Sequence, residues 1–201
     1  MHFIGDIHAQ MLGSFSAYRR IIKRLPRSIQ LGDLNLGVDK KLDKGFPNAH
    51  PDHMFIRGNH DNPEVCRQLQ SHLGDYGYLE DDDIFFVGGG YSIDKDQRVI
   101  GINWWPDEEL GYQQCAEAIS LYMEKRPRIA ISHECPSSVR DLFSTLSLQI
   151  RPSRTSVALQ DMLDAHRPRF WVFGHHHETR HVEIDGTVFL CVGSSDVKEI
   201  K

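Results

Sequence analysis

Five short stretches of the chain end an apolar run with residues that can bind metal ions or transfer protons. They read IGDIH (4–8), LGDL (31–34), RGNHD (57–61), ISHE (131–134) and FGHHH (173–177). Ligands in open α/β sheets bind just beyond the carboxyl ends of the strands, so we expect the five strand ends to converge on one crevice. The candidate residues are Asp6, His8, Asp33, Asn59, His60, Asp61, His133, His175 and His177.

The spacing within two of these stretches indicates which side chains act together. Asp6 and His8 are two residues apart, as are His175 and His177. Side chains two apart in extended backbone point the same way, so each pair is expected to face one centre while His176 points away. Glycines before four of the candidate positions allow close backbone approach. These are Gly5, Gly32, Gly58 and Gly174.

The candidate ligands mix nitrogen and oxygen donors and include no thiolate. This set favours manganese, iron, zinc, cobalt or nickel over calcium. Seven ligands are too many for one tetrahedral ion. They suit two divalent cations that share a bridging carboxylate, about 3.5–4 Å apart as in binuclear hydrolases. We expect two such cations, with manganese the first choice among these metals.

The composition limits the classes of protein to which the chain can belong. Its 201 residues fit one domain, and we predict a single domain over 1–201. The net charge of −5 argues against extended nucleic acid and anionic membranes as partners. No apolar stretch has membrane-spanning length, and the first residues do not form a signal peptide. Four scattered cysteines without a C-x-x-C pair indicate reduced thiols and a cytoplasmic location.

Apolar periodicity predicts the elements that must position the candidate residues. Helices are expected over 11–25, from Pro63, over 107–124 and over 155–166. Strands are expected over 2–8, 28–34, 53–60, 83–93, 98–105, 128–134 and 169–177, with 83–93 and 98–105 paired. A hairpin that turns at Asp185-Gly186 should close the chain. This mixture of alternating elements and hairpins indicates a mixed α/β protein with more than one sheet.

The series D-x-H, G-D, G-N-H-D, H and G-H-x-H resembles, in this order, the calcineurin-like metallophosphoesterase family. The match runs from Asp6 to His177, nearly the whole chain. The resemblance implies a four-layer α/β/β/α sandwich of two mixed sheets. It also implies a hydrolase acting on ester bonds (EC 3.1), in which a hydroxide bridging two metals attacks a phosphomonoester or phosphodiester.

The same resemblance implies a role for each residue of the series. His60 would be the general acid that protonates the leaving oxygen, and Asp61 would orient its ring. Asp33 would bridge the two cations, and Asn59 would also bind phosphoryl oxygens. One cation would be held by Asp6, His8 and His177, and the other by Asn59, His133 and His175.

Two segments depart from the family pattern or extend it. GDLNLGVD carries Leu36 at the usual acidic position and lacks the arginine of protein phosphatases, which weakens the case for phosphoprotein substrates. GGGYSIDKDQRVIGINWWPDEEL (88–110) resembles a bacterial and phage subgroup with an S-[IV]-D and W-W-P-E-E pattern. Trp104 and Trp105 are candidates to stack on a substrate ring, or to be divided between core and rim. Asp94 and Arg98 either pair locally or contact substrate.

Three functional hypotheses follow from the sequence. The leading one is metal-dependent hydrolysis of a phosphorylated small molecule or nucleotide-type substrate. The alternatives are a nuclease or cyclic-nucleotide phosphodiesterase, and a non-catalytic scaffold that keeps the fold. The scaffold is disfavoured because His60 and the complete ligand set are present. The remaining histidines lack ligand spacing and are interpreted as ordinary: His2, His50, His53, His72, His166 and His181.

Overall fold

The structure, a computed structural model, describes residues 1–47, 52–143 and 151–201; His50 lies outside these ranges. The strands are β1 His2–Ile4, β2 Ser28–Gln30, β3 His53–Phe55, β4 Tyr76–Leu79, β5 Ile84–Val87, β6 Ile129–Ser132, β7 Phe170–Phe173, β8 Arg180–Ile184, β9 Thr187–Cys191 and β10 Val197–Glu199. The helices are α1 Ala9–Leu12, α2 Ser16–Ile22, α3 Lys40–Asp43, α4 Pro63–Arg67, α5 Tyr112–Lys125 and α6 Arg154–Ala165. None of the described helices has the length and apolarity that crossing a membrane requires.

The strands form two mixed sheets. The first has the order β10-β1-β2-β3, in which β1, β2 and β3 are parallel and β10 runs antiparallel at the edge. The second has the order β4-β5-β6-β7-β9-β8, with a parallel centre and antiparallel strands at both edges. Parallel strands need crossover connections, and helices α2, α5 and α6 lie in those connections.

The two-residue alternation of the strands sorts their side chains into separate cores. Phe3, Ile129 and Ile131 pack in a core between the two sheets. Their neighbours Ile4 and Ala130 face outward, the first toward α2 and α4 and the second toward α5 and α6. Helices therefore cover the outer face of each sheet. The predicted fold class, a four-layer α/β/β/α sandwich of two mixed sheets, is confirmed.

The central strands of the second sheet are apolar because both of their faces are buried. β6 reads IAIS and β7 reads FWVF, and β-branched and aromatic residues suit such strands. Trp171 is almost fully buried, and its Nε1 donates a hydrogen bond to Oγ of Ser132 at 2.9 Å. Replacing a buried tryptophan by alanine costs about 3–5 kcal/mol, so this residue is a main anchor of the core.

The register of each sheet aligns the carboxyl ends of its parallel strands. In the first sheet Ile4 pairs with Gln30, and Gln30 pairs with Phe55. In the second sheet Ser132 pairs with both Val87 and Phe173. The segments that follow these residues therefore leave the sheets at matching heights.

The helix predicted over 11–25 is instead two helices. Gly13 has a φ of 68° and ends α1, and α2 then begins at Ser16. Phe15, Tyr18 and Ile22 are buried, but Leu12 is 55% exposed because it precedes the break. The other three predicted helices are confirmed within a few residues, as is the hairpin of β8 and β9 that turns at Asp185-Gly186.

The prediction of a strand over 98–105, paired with 83–93, is wrong. The segment forms turns, and Gly101 has a φ of 76°. Val99, Ile100 and Ile102 are more than half exposed. The apolar run therefore has no sheet to join, because β5 pairs with β4 on one side and β6 on the other. Strands β4 and β10 were not predicted, and the other strands are shorter than expected because their last residues turn over the candidate site.

Candidate metal centre

The first sheet delivers three candidate ligands from one edge. Asp6, Asp33 and Asn59 follow β1, β2 and β3 within a few residues. Since these strand ends are aligned, the three segments cross the same edge of the sheet. The three side chains are almost fully buried, although all are polar. Buried polar groups of this kind require partners, and the second sheet supplies some of them.

The second sheet brings three histidines to the facing edge. His133 follows β6 directly, and His175 and His177 follow β7. Nδ1 of His133 lies 2.8 Å from the backbone oxygen of Leu31, the residue that follows β2 of the first sheet. This contact assigns the proton to Nδ1 and leaves Nε2 free to act as a ligand atom. It also fixes the two sheet edges against each other at the site.

One group of potential metal ligands consists of Asp6, His8, Asp33 and His177, whose ligand atoms all lie within 4.8 Å of one another. Nε2 of His8 and Nε2 of His177 are 2.9 Å apart. Nε2 of His177 is 3.1 Å from Oδ2 of Asp6, and Nε2 of His8 is 3.9 Å from Oδ2 of Asp33. Two ring nitrogens and two carboxylate oxygens therefore point at a common position.

A second group consists of Asp33, His133 and His175, again within 4.8 Å. Nε2 of His133 lies 3.4 Å from Oδ1 of Asp33. The same nitrogen lies 2.9 Å from Oδ1 of Asn59, which adds an amide oxygen to the group. Asp33 belongs to both groups. It is thus the one residue whose carboxylate reaches both potential metal positions in the described part of the chain.

The donor set and its unpaired atoms fit divalent metal ions. Oδ2 of Asp33 and Oδ2 of Asp6 are buried and have no hydrogen-bond partner among the described residues. Leaving a buried carboxylate oxygen unpaired costs free energy, so these atoms are suited to bind a cation. Imidazole nitrogen with carboxylate and amide oxygen is the ligand set that manganese, iron, zinc, cobalt and nickel accept.

The three adjacent histidines do not all occupy the same position, and strand alternation is not the reason. His175 and His177 join the two ligand groups, whereas the ring of His176 lies 3.5 Å (Nε2 to Sγ) from Cys135 and packs against Phe173. The backbone is not extended there, because His175 has a φ of 67° and His177 a φ of 58°. A tight turn, rather than strand alternation, separates their directions. His176 also lines the cavity described below.

The buried charges around Asp33 stabilise one another. Burial alone would raise the pKa of Asp33, but His133, His60 and His8 hold it well below its usual value. Burial would lower the pKa of His133, but Asp33 outweighs it and raises that pKa to about 10. Burial and the neighbouring His133 lower the pKa of His175. Protons and metal ions would therefore compete for the same atoms.

His60 lies beside the shared carboxylate, outside both ligand groups. Its Nε2 is 3.9 Å from Oδ2 of Asp33, and its backbone N–H donates to Oδ1 of Asp33 at 2.8 Å. Nη2 of Arg98 is 2.8 Å from Nε2 of His60. The pKa of His60 is lowered, mainly by burial and further by Arg98, although the negative charge of Asp33 acts to raise it.

The prediction that Asp61 orients the ring of His60 is not what the structure shows. Oδ2 of Asp61 accepts hydrogen bonds from the backbone N–H groups of Asp33 and Gly58, at 2.9 and 2.8 Å, and Oδ1 accepts from Leu36 N–H at 3.1 Å. The carboxylate is therefore committed to the backbone. It joins the segment that carries Asp33 to the segment that carries His60.

Close backbone approach explains two of the glycines that precede candidate ligands. Gly32 has a φ of 103°, and a Cβ there would lie 2.6 Å from Nδ1 of His133. A Cβ at Gly58 would collide with Oδ1 of Asp33. Any side chain at either position would displace a candidate ligand, so both glycines are required by the packing of the site.

A cavity of about 390 Å³ opens over the site, and three arginines line it. Arg98, Arg140 and Arg151 come from separate loops, and Arg98 also pairs with Asp94 at 2.6 Å. Arg98 was predicted only as one of two alternatives, and Arg140 and Arg151 were not predicted, because isolated arginines in loops carry no spacing signal. Asp33, Asn59, His60, His175 and His177 line the same cavity.

The two tryptophans predicted as substrate contacts are not brought to this cavity. Trp104 and Trp105 are absent from the described residues that line it, and Trp105 is only 6% exposed. The turn at 98–105 directs Arg98 toward the site and leaves the tryptophans on the segment that returns toward α5. The burial of Trp105 favours the second prediction for this pair, in which one tryptophan packs in the core.

Comparison with protein-family models identifies one family. The family model described as Calcineurin-like phosphoesterase matches residues 2–179. No curated protein matches the chain. Similar solved structures include a Thermotoga maritima protein (17% identity, 100% of this chain and 90% of that chain, TM-score 0.42). A second is GAP50, the anchor in the inner membrane complex of Plasmodium (10% identity, 97% of this chain and 72% of that chain, TM-score 0.47). A third is phosphopantetheinyl hydrolase from Mycobacterium tuberculosis (14% identity, 96% of this chain and 89% of that chain, TM-score 0.48).

Proposed function

Because the chain belongs to the calcineurin-like phosphoesterase family, we propose that it hydrolyses a small phosphorylated molecule with the help of two divalent metal ions. The observation that carries the proposal is the position of Asp33. Its carboxylate is the member common to two compact groups of metal-binding side chains. A shared carboxylate of this kind is what a binuclear hydrolase needs to hold its cations side by side.

The residues would divide between the cations as their distances suggest. Asp6, His8 and His177 would hold one cation, and Asn59, His133 and His175 would hold the other, with Asp33 between them. When bound, the pair of cations would supply Lewis-acid chemistry, activating water as the nucleophile and neutralising charge on the phosphoryl group. We propose manganese as the metal, and the nitrogen and oxygen donor set supports it.

His60 and Arg98 would act on the substrate directly. Arg98 donates from a planar guanidinium that is suited to phosphoryl oxygens, and Asn59 would also bind these oxygens. An anionic phosphoryl group beside the ring would raise the pKa of His60 and thereby favour the protonated imidazole. In the structure Arg98 donates a hydrogen bond to Nε2 of His60, so Arg98 would first have to turn from that nitrogen to the phosphoryl oxygens. Nε2 could then carry the proton that His60 transfers to the departing oxygen as a general acid.

The cavity supports a small anionic substrate. Its volume of about 390 Å³ is within the usual range for small-molecule sites, and three arginines line it. A nucleotide-type or other phosphorylated small molecule fits this size and charge, whether as a monoester or as a diester. The net charge of −5 argues against extended nucleic acid as the substrate.

A hydrolysis panel on metal-stripped and manganese-restored protein tests the proposal. The panel contains an aryl phosphomonoester, an aryl phosphodiester, cyclic nucleotides, a phosphopeptide and an oligonucleotide. We expect manganese to restore hydrolysis of one or more of the small substrates. Hydrolysis of the oligonucleotide alone would support a nuclease instead. Binding of manganese without hydrolysis of any substrate would support the non-catalytic scaffold.

The thiols and the core of the protein bear on its location and its domain organisation. We propose a cytoplasmic location, because all four cysteines are buried free thiols and a reducing compartment keeps thiols in that state. We also propose that 1–201 form one domain, since the core between the sheets is built from both of them. Folding and secretion assays on the whole chain would test these two statements.

A further inference from the structure

A buried chain of hydrogen bonds connects Asn59 to the segment WWPDEEL (104–110), for which the chemistry above has no use. Nδ2 of Asn59 donates to Oγ of Ser92 at 3.1 Å. Oγ of Ser92 in turn donates to Oε2 of Glu108 at 2.5 Å, and Ser92 N–H donates to Oε1 of Glu108 at 3.0 Å. The exposed fractions of Asn59, Ser92 and Glu108 are 2%, 1% and 3%.

Glu108 is held rigidly at the far end of this chain. Its backbone oxygen accepts a hydrogen bond from Nη1 of Arg57 at 2.5 Å, and Nε of Arg57 donates to Oδ1 of Asp75 at 2.7 Å. The side chain of Arg57 is fully buried. Arg57 is two residues before Asn59, so the same short segment carries the ligand and the anchor of its partner. The arrangement spans three separate parts of the sequence.

The polarity of the chain decides which end of the Asn59 amide faces the candidate metal. A carboxylate only accepts hydrogen bonds, so the hydroxyl group of Ser92 must donate its hydrogen bond to Glu108. Oγ of Ser92 is then left with lone pairs, which accept from an N–H group and repel a carbonyl oxygen. The NH₂ group of Asn59 must therefore face Ser92. Its Oδ1, 2.9 Å from Nε2 of His133, is directed to the second ligand group.

We propose that Ser92 and Glu108 are positioning residues that orient the Asn59 amide so that its oxygen, not its nitrogen, is offered to the cation shared with His133 and His175. The proposal rests on the proposed metal-dependent function. It gives the S-I-D and W-W-P-D-E-E stretches one common role. Partners that orient metal ligands typically account for 10–100-fold in metal affinity.

The test measures manganese binding directly by titration calorimetry, with metal alone as the probe. Wild-type protein is expected to bind two equivalents. Ser92→Ala and Glu108→Gln are each expected to weaken one of the two equivalents by about 10–100-fold and to leave the other unchanged. In Glu108→Gln the new amide can donate to Ser92, which would turn the hydroxyl toward Asn59 and favour the reversed amide. Ser92→Thr keeps the hydroxyl and should retain both equivalents.

Glu109→Gln is the matched control, because Glu109 lies on the same segment but bonds to Thr155 N–H instead of Ser92. It should bind manganese as the wild type does. The melting temperature of each metal-free variant separates loss of orientation from loss of folding. If Ser92→Ala and Glu108→Gln bound both equivalents with unchanged affinity, the proposal would be overturned. A wild-type protein that binds no manganese would instead overturn the proposed function.

A double-mutant cycle with Asn59→Asp distinguishes orientation from a general structural effect, and Glu108→Gln replaces Ser92→Ala in the cycle if Ser92→Ala does not fold. An aspartate has two equivalent oxygens and no wrong end to present. In that background, Ser92→Ala should cause no further loss of manganese affinity. A loss of the same size with and without Asn59→Asp would contradict the orienting role.

Discussion

Nη2 of Arg98 lies 2.8 Å from Nε2 of His60, and the guanidinium of Arg98 also pairs with Asp94 at 2.6 Å. The contact places a permanent cation beside the proposed general acid, at the wall of the cavity. Arg98 belongs to the segment that the sequence predicted as a strand. Its irregular backbone is what brings the guanidinium over the site. A catalytic loop grafted beside a rigid sheet edge is a common way to vary substrate choice.

Arg98→Ala should lower kcat/KM for an aryl phosphate by about 10–100-fold, because a charge-assisted hydrogen bond contributes about 1.5–3 kcal/mol. Arg98→Lys should retain part of the activity, since the charge remains but the planar fork is lost. Steady-state kinetics on manganese-loaded protein measure both values. Wild-type kcat/KM in Arg98→Ala would rule out a substrate contact.

His60→Ala should retain both manganese ions and lose turnover by about 10²–10⁴-fold, the usual contribution of a general acid. The reason is that His60 lies beside Asp33 but outside both ligand groups. Metal content by elemental analysis and kcat on the same preparation provide the two readouts. An unaltered kcat would refute the assignment of His60.

Asp33→Asn should weaken manganese binding at both positions, because Asp33 is common to the two ligand groups. His8→Asn is the comparison, since His8 belongs to one group only. Titration calorimetry should show two weakened equivalents in the first variant and one in the second. If the same number of manganese equivalents were weakened in Asp33→Asn and in His8→Asn, the bridging role would be contradicted.

Asp61→Asn should destabilise the fold by about 2–4 kcal/mol, even without metal. The carboxylate accepts three backbone N–H groups, and an amide would turn an NH₂ group toward at least one of them. Urea unfolding of metal-free protein measures the effect. If Asp61 acted only through the ring of His60, stability would stay at the wild-type value while turnover fell.

His72 should make the free energy of unfolding depend on pH. Burial lowers its pKa from 6.5 to about 4, and its Nε2 is buried without a hydrogen-bond partner among the described residues. The neutral form therefore suits the fold, so this contribution is complete above about pH 6.5 and decreases as pH falls toward about 4. Compared with His72→Phe, the wild type should lose about 2 kcal/mol between about pH 7.5 and 5. Urea unfolding of the wild type and of His72→Phe at both pH values measures this loss. If the difference in unfolding free energy between the two proteins were the same at both pH values, His72 would make no such contribution.

The sequence predicted which side chains come together at the strand ends better than it predicted the elements that carry them. Asp33, His133 and their companions stand out because each follows a buried strand, and that local pattern survives even where the strand ends early. The segment 98–105 has the apolar pattern of a strand because its valine and isoleucines satisfy strand propensity, but it has no neighbouring strand to pair with. Strands β4 and β10 carry only a weak pattern, since both are half-exposed sheet edges.

The contacts that refine the site could not be predicted from spacing. Asp61 binds three backbone N–H groups in two segments, and Ser92 meets Glu108 across a long loop. Such contacts depend on the path of the whole chain and not on any local period. Strand alternation does not describe residues 175–177, because His175 and His177 have positive φ and His176 lines the same cavity as both of them.

The two ligand groups draw on both sheets, because Asp6, Asp33 and Asn59 leave one edge while His133, His175 and His177 leave the other. Bound cations would act as a clasp that fastens the halves of the sandwich together. Ligands that bind only the native state add RT ln(1 + [L]/Kd) to stability. Heat resistance and protease resistance would then rise and fall with the supply of metal, so the availability of this nutrient would set the lifetime of the protein as well as its activity.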